Sequence, residues 1–102
     1  MNVISVTTMK VAAGGWDQTV GNHVKAKPIL ERHGAQNVRL LVPLAGGAES
    51  GTVHLVFEAA DMASIGKVTD AIYSDPDMQT LMRSGADITT WTTSLLGEVP
   101  IS

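Results

Sequence analysis

Two side chains in the middle of the chain could do proton chemistry together. They are His54 and Arg39. A histidine is the one group that titrates near neutral pH without perturbation, so His54 is a candidate general acid/base for enolisation or aldol-type proton transfer. Arg39, or a threonine hydroxyl, would then stabilise the enolate. His54 and Glu58 are four apart, which on a strand puts them on one face but about 13 Å apart, too far for a direct dyad. His54 could instead meet Ser5 or Thr7 on the first strand, or Arg39 on the second. The competing account of His54 is a hydrogen-bonded interior or interface histidine with no catalytic duty.

Further ligand-contacting candidates are His23 and Trp16 on a helix, Ser5 and Thr7 on the first strand, Glu58, and Trp91 on the last strand. His33, next to Gly34, is better explained as a helix-end residue favoured by the dipole. The three histidines have no helical pair spacing and no carboxylate to complete a site, so no metal is expected. With no cysteine in the chain, thiolate metal sites and a Cys nucleophile are excluded. Ser50, Ser64 and Ser94 lack the context of an activated nucleophile.

The element that positions His54 is a strand around residues 52–58. Its odd positions, Val53, Leu55 and Phe57, are large and apolar and ask for a helix layer. Its even positions, Thr52, His54, Val56 and Glu58, are too apolar for plain solvent and too polar for an ordinary core. Upstream, residues 2–11 alternate in the same way, with Ile4 and Val6 on one face and Val3, Ser5, Thr7 and Met9 on the other. A helix follows, with an expected buried stripe of Trp16, Val20, Val24 and Lys27 and a kink or break at Pro28. Gly34 supplies its left-handed terminus. Residues 37–44 form a second strand. A glycine-rich connector over 45–51 leads into the third, and no helix follows it as a phosphate cradle would need.

Asp61 or Ser64 caps the next helix, whose buried stripe is Ile65, Val68 and Ile72. Asp75 and Pro76 start a further short helix, with Met78, Leu81 and Met82 as its apolar side. Residues 88–96 form the last strand, and 98–102 is a tail that is either laid on a partner or disordered. The order gives a ferredoxin-like βαββαβ α+β fold, a four-stranded antiparallel sheet with the helices on one face. Its third strand is central.

Bulk properties bound the function. The 102 residues make a single domain, 44% hydrophobic and only 17% charged. With a mean hydropathy of +0.15, some apolar surface is expected to be covered by a second subunit. A net charge of -3 with dispersed basic residues argues against nucleic-acid binding. No apolar run is long enough for a membrane span and the first eleven residues do not read as a signal peptide, so the cytoplasm is the expected location.

Pro28, Ile29, Leu30, Glu31, Arg32, His33, Gly34 and Ala35, followed by Val42, Pro43, Leu44, Ala45, Gly46 and Gly47, resemble one known family. Val53, His54 and Leu55, with the later Ser74, Asp75 and Pro76, extend the resemblance, which covers roughly residues 1–96 in element order. The chain looks like a NIPSNAP-type member of the dimeric α/β-barrel superfamily. That resemblance implies a homodimer whose two sheets face each other around a barrel. It also implies a cavity for a small apolar organic ligand, inside the barrel or between sheet and helices. Among such relatives are cofactor-independent isomerases, cyclases and monooxygenases, besides proteins of no known activity. The alternative is a non-catalytic binding or interaction module. Haem-degrading relatives use a helix-borne histidine, and residues 62–85 contain none, so no cofactor is expected.

Overall fold

The computed structural model describes residues 2–45, 51–86 and 89–101. The alternation in the sequence becomes a sheet of β1 (Val3–Val11), β2 (Gln36–Leu41), β3 (Thr52–Ala59) and β4 (Thr89–Gly97), all pairs antiparallel, in the order β2-β3-β1-β4. Three helices pack on one face: α1 (Trp16–Arg32), α2 (Met62–Ser74) and α3 (Pro76–Gly85). The expected connector residues 46–50 and the expected strand start Ile88 lie outside the described residues. The shortest principal extent is 18 Å, room for one sheet and one helix layer. Among the described residues no helix packs on the other sheet face, although Val56 and Thr52 on that face are buried.

The β1–β3 register sets Thr7 against Leu55 and Thr8 against His54. Because strand side chains alternate, Val3, Ser5, Thr7 and Met9 join Val53, Leu55 and Phe57 towards the helices. Ile4, Val6 and Thr8 join His54, Val56 and Glu58 on the helix-free face. In β2, the two residues between Gln36 and Arg39 stand opposite the single Phe57 of β3, a bulge with Asn37 at φ 51°. Asparagine tolerates this left-handed conformation better than most residues.

α1 runs through Pro28 as one helix, so the second helix expected to begin there does not form. Pro28 and Val24, the residue that loses its helical donor, are both exposed, so water can serve the freed carbonyl. The buried stripe of α1 is also rotated from the expected one. Thr19, Ala26, Ile29 and Leu30 are buried, whereas Trp16 is 47% and Val24 69% exposed. The helix end follows expectation. Gly34 adopts φ 99°, its N–H donates to the Glu31 carbonyl and the Ala35 N–H to that of Leu30, satisfying two terminal acceptors.

In α2, Asp61 accepts from the Ser64 N–H at 2.7 Å and the stripe Ile65, Val68 and Ile72 is buried as expected. Ile65 sits at the centre of the core, so Ile65→Val should cost about 1 kcal/mol, read as a lower denaturation midpoint with unchanged slope. The core joins Val3, Phe57 and Ala59 of the sheet to Leu30, Ile65 and Val68 of the helices. It stops short of β4, which contributes no buried residue. Beyond β4, the Glu98 N–H still donates to the Asn2 carbonyl, while Val99 and Ile101 are exposed.

Candidate active site

Where the core ends, the gap between the β1–β4 half of the sheet and the helices is left unfilled. Small polar side chains floor it: Ser5, Thr7, Thr89 and Thr93. Phe57, Ile72, Met78, Leu81 and Met82 wall it with apolar groups. The resulting cavity is about 150 Å³ and partly open to solvent. Its roof includes His23 and Asn22 from α1, and Trp91 of β4 stands at its edge, 39% exposed. Among the described residues no Lys, Arg, Asp or Glu lines it.

His23 Nδ1 lies 2.7 Å from the Thr19 carbonyl oxygen. A carbonyl only accepts, so Nδ1 carries the proton and Nε2 of the neutral ring is the basic atom. Across the β1–β4 ladder, the Thr7 and Thr93 hydroxyls are 2.8 Å apart. One donates to the other, which leaves one O–H for a further acceptor. A base of fixed tautomer and a hydroxyl donor thus face one apolar space. Such a set can move a proton on a bound molecule and hold the oxygen that gains charge.

Of the residues singled out from sequence, Ser5, Thr7, His23 and Trp91 come together at this cavity. Trp16, at the first position of α1, does not line it. His54, Arg39 and Glu58 lie on the helix-free face and do not line it either. There His54 Nδ1 is 3.0 Å from Thr8 Oγ1. The expected contact with Ser5 or Thr7 is replaced by Thr8, because the register pairs even with even positions and turns Ser5 and Thr7 to the other side. Arg39 donates to Glu58 Oε2 at 2.8 Å, Asn37 Nδ2 to the same oxygen at 2.9 Å, and Asn2 Nδ2 to Oε1 at 2.6 Å. These donors, Asn37 foremost, hold the Glu58 carboxyl below its usual range.

The sequence reading missed a cluster at the far end of α1. The buried Asp75 carboxylate accepts from Arg32 at 2.5 Å and from His33 Nε2 at 2.7 Å through one oxygen. Its other oxygen accepts from the backbone N–H groups of Asp77 and Met78, capping α3. The His33 contact, then Arg32, holds the Asp75 acidity far stronger than usual. Both oxygens of the carboxylate are engaged within the fold, so the cluster is structural. The cavity's share of α3 was also missed, since Met78, Leu81 and Met82 carry no signal that separates a wall from packing. Among the described residues no group of three metal-ligating side chains assembles, and no helix is long and apolar enough to cross a membrane.

No protein-family model matches the sequence, and no curated protein does. Solved structures do match the fold. A NIPSNAP family protein of unknown function from Agrobacterium tumefaciens superposes with a TM-score of 0.80 at 11% identity, covering 99% of this chain and 91% of that one. An uncharacterised NIPSNAP domain protein from Burkholderia xenovorans gives 0.79 at 13% identity, over 98% and 97% of the two chains. SnoaB, a cofactor-independent oxygenase from Streptomyces nogalater, gives 0.75 at 12% identity, over 98% and 95%. The fold is that of the NIPSNAP proteins and of SnoaB, the ferredoxin-like α+β arrangement.

Proposed function

We propose that this protein binds a small, mostly apolar organic molecule in the cavity between sheet and helices and transfers a proton on it without a cofactor. The reaction class is that of an isomerase, cyclase or monooxygenase, and the fold shared with a cofactor-independent oxygenase supports it. The observation that carries the reading is the 150 Å³ cavity with one histidine at its wall, whose free nitrogen is set by the Thr19 carbonyl. In the proposed step His23 Nε2 takes a proton from the bound molecule, and the Thr7–Thr93 pair donates to the oxygen that becomes negative.

The test is native mass spectrometry of the purified protein, followed by identification of any small molecule it retains. Ala26 is buried and lines the cavity, so Ala26→Leu fills part of it and should reduce retention by about 10-fold or more. The same molecule at the same occupancy in Ala26→Leu would place it elsewhere. With that molecule as substrate, His23→Gln should lower kcat by about 100-fold or more. Binding without any turnover would favour the alternative, a non-catalytic binding module.

The proposal includes a homodimer joined through the helix-free face, with His54 and the Arg39–Glu58 pair enclosed between the two sheets. Leu41 and Leu96, 46% and 50% exposed on that face, support it.

A further inference from the structure

Among the described residues, seven hydroxyl side chains line the cavity: Ser5, Thr7, Thr19, Thr69, Tyr73, Thr89 and Thr93. Three have given their protons away. Thr19 Oγ1 donates to the Gly15 carbonyl at 2.8 Å, Thr69 Oγ1 to that of Ile65 at 2.7 Å, and Thr89 Oγ1 to that of Gly85 at 2.9 Å. Thr7 and Thr93 are bonded to each other. Tyr73 is half exposed, where water can serve it.

Ser5 is different. It is 3% exposed, and its hydroxyl has no hydrogen-bond partner among the described residues. Among those residues no sealed side-chain oxygen or nitrogen lacks a partner, so the Ser5 hydroxyl must meet the open space of the cavity it lines. A hydroxyl withdrawn from bulk water with no partner costs free energy that a ligand oxygen can recover.

We propose that the cavity takes a neutral, single-ring compound carrying an oxygen, with Ser5 as the side chain that selects for that oxygen. The inference rests on the cavity's being the binding site, as argued above. Size sets the ring count, since an apolar cavity of about 150 Å³ holds one benzene-sized molecule. Charge is disfavoured by the lining, which among the described residues holds no Lys, Arg, Asp or Glu to offset the desolvation of a carboxylate or an ammonium. A phenol or an aryl ketone meets both conditions.

The chain has two tryptophans, and only Trp91 lines the cavity. Trp16→Phe therefore leaves a single indole that reports on the site. In this background phenol, toluene and benzoate are titrated at neutral pH, following Trp91 emission and, in parallel, the melting midpoint. Phenol should bind saturably, toluene about 10-fold more weakly, and benzoate about 100-fold more weakly or not at all. Adding Ser5→Ala should reduce phenol to the level of toluene and leave toluene unchanged.

Benzoate binding as tightly as phenol overturns the charge selection. A phenol-to-toluene ratio near one, or one that Ser5→Ala does not change, overturns the role of Ser5. Either result leaves the cavity standing as a binding site. Absence of a saturable response to all three probes overturns both this inference and the reading beneath it.

Discussion

Asp75→Ala should lower the melting midpoint by about 10 °C, the largest stability effect expected from a single polar side chain here. The carboxylate ties the end of α1 to the start of α3. Arg32 and His33 end α1, and Asp75 opens α3. One oxygen accepts from both Arg32 and His33 while the other caps the first turn of α3 through Asp77 and Met78. Removing it leaves two side-chain donors and two helix N–H groups without their acceptor. Asp75→Asn keeps the capping oxygen but loses the charge, so it should fall between wild type and alanine.

The same residue fixes a pH dependence. The folded acidity of Asp75 is held below its ordinary value of 3.8 by the hydrogen bonds from His33 and Arg32. A depressed acid contributes stability that is present above the unfolded value and lost as pH falls through the folded one. Wild type should therefore lose stability on acidification below about pH 4 more steeply than Asp75→Asn, and the gap between their melting midpoints should narrow. Thermal melts of both proteins in a pH series check this. A gap that stays constant down to pH 2 would mean that the carboxylate's charge does not matter.

How much of this was legible in the sequence depends on the range of the interaction. Strand faces follow from covalent geometry, so Val53, Leu55 and Phe57 declared their common side and Thr52, His54 and Glu58 theirs. Caps are equally local: Asp61, Asp75 with Pro76, and Gly34 all act within a turn of themselves. The face of α1 was not legible by weight of hydrophobic residues. Trp16 and Val24 outweigh Thr19 and Ala26, yet the small residues are the buried ones, and both line the gap left between helices and sheet. Pro28 illustrates the same blindness: its clash is local, but whether the cost is met depends on which side faces water.

The candidate site divides along the same line. Ser5, Thr7, His23 and Trp91 could be named as residues, but not their meeting, which is set by how α1 and α3 lie over β1. The Arg32–His33–Asp75 cluster joins positions 42 and 43 apart, a distance at which no periodicity speaks. His54 drew attention because it titrates and stands on a central strand. Its neighbour Thr8 follows from the register, which a two-residue difference in strand ends would have altered.

Val6→Glu should convert the proposed dimer to monomer, weakening association by about 100-fold or more without unfolding the chain. Val6 sits mid-sheet on the helix-free face, opposite Val56 on one side and Ser94 on the other. In the lone chain Val6 is partly exposed, so a carboxylate there can still reach water. In a two-fold assembly the substitution enters twice on the same surface, where two like charges would be desolvated close together. The polar groups already on this face do not share that problem. Glu58 is satisfied by Asn2, Asn37 and Arg39 of its own chain, and His54 by Thr8, so covering them strands no charge. Sedimentation at micromolar concentration, with circular dichroism as the control for folding, reads the result. Wild type sedimenting at the 10.7 kDa mass of one chain would overturn the dimer, and a dimeric Val6→Glu would move its interface off this face.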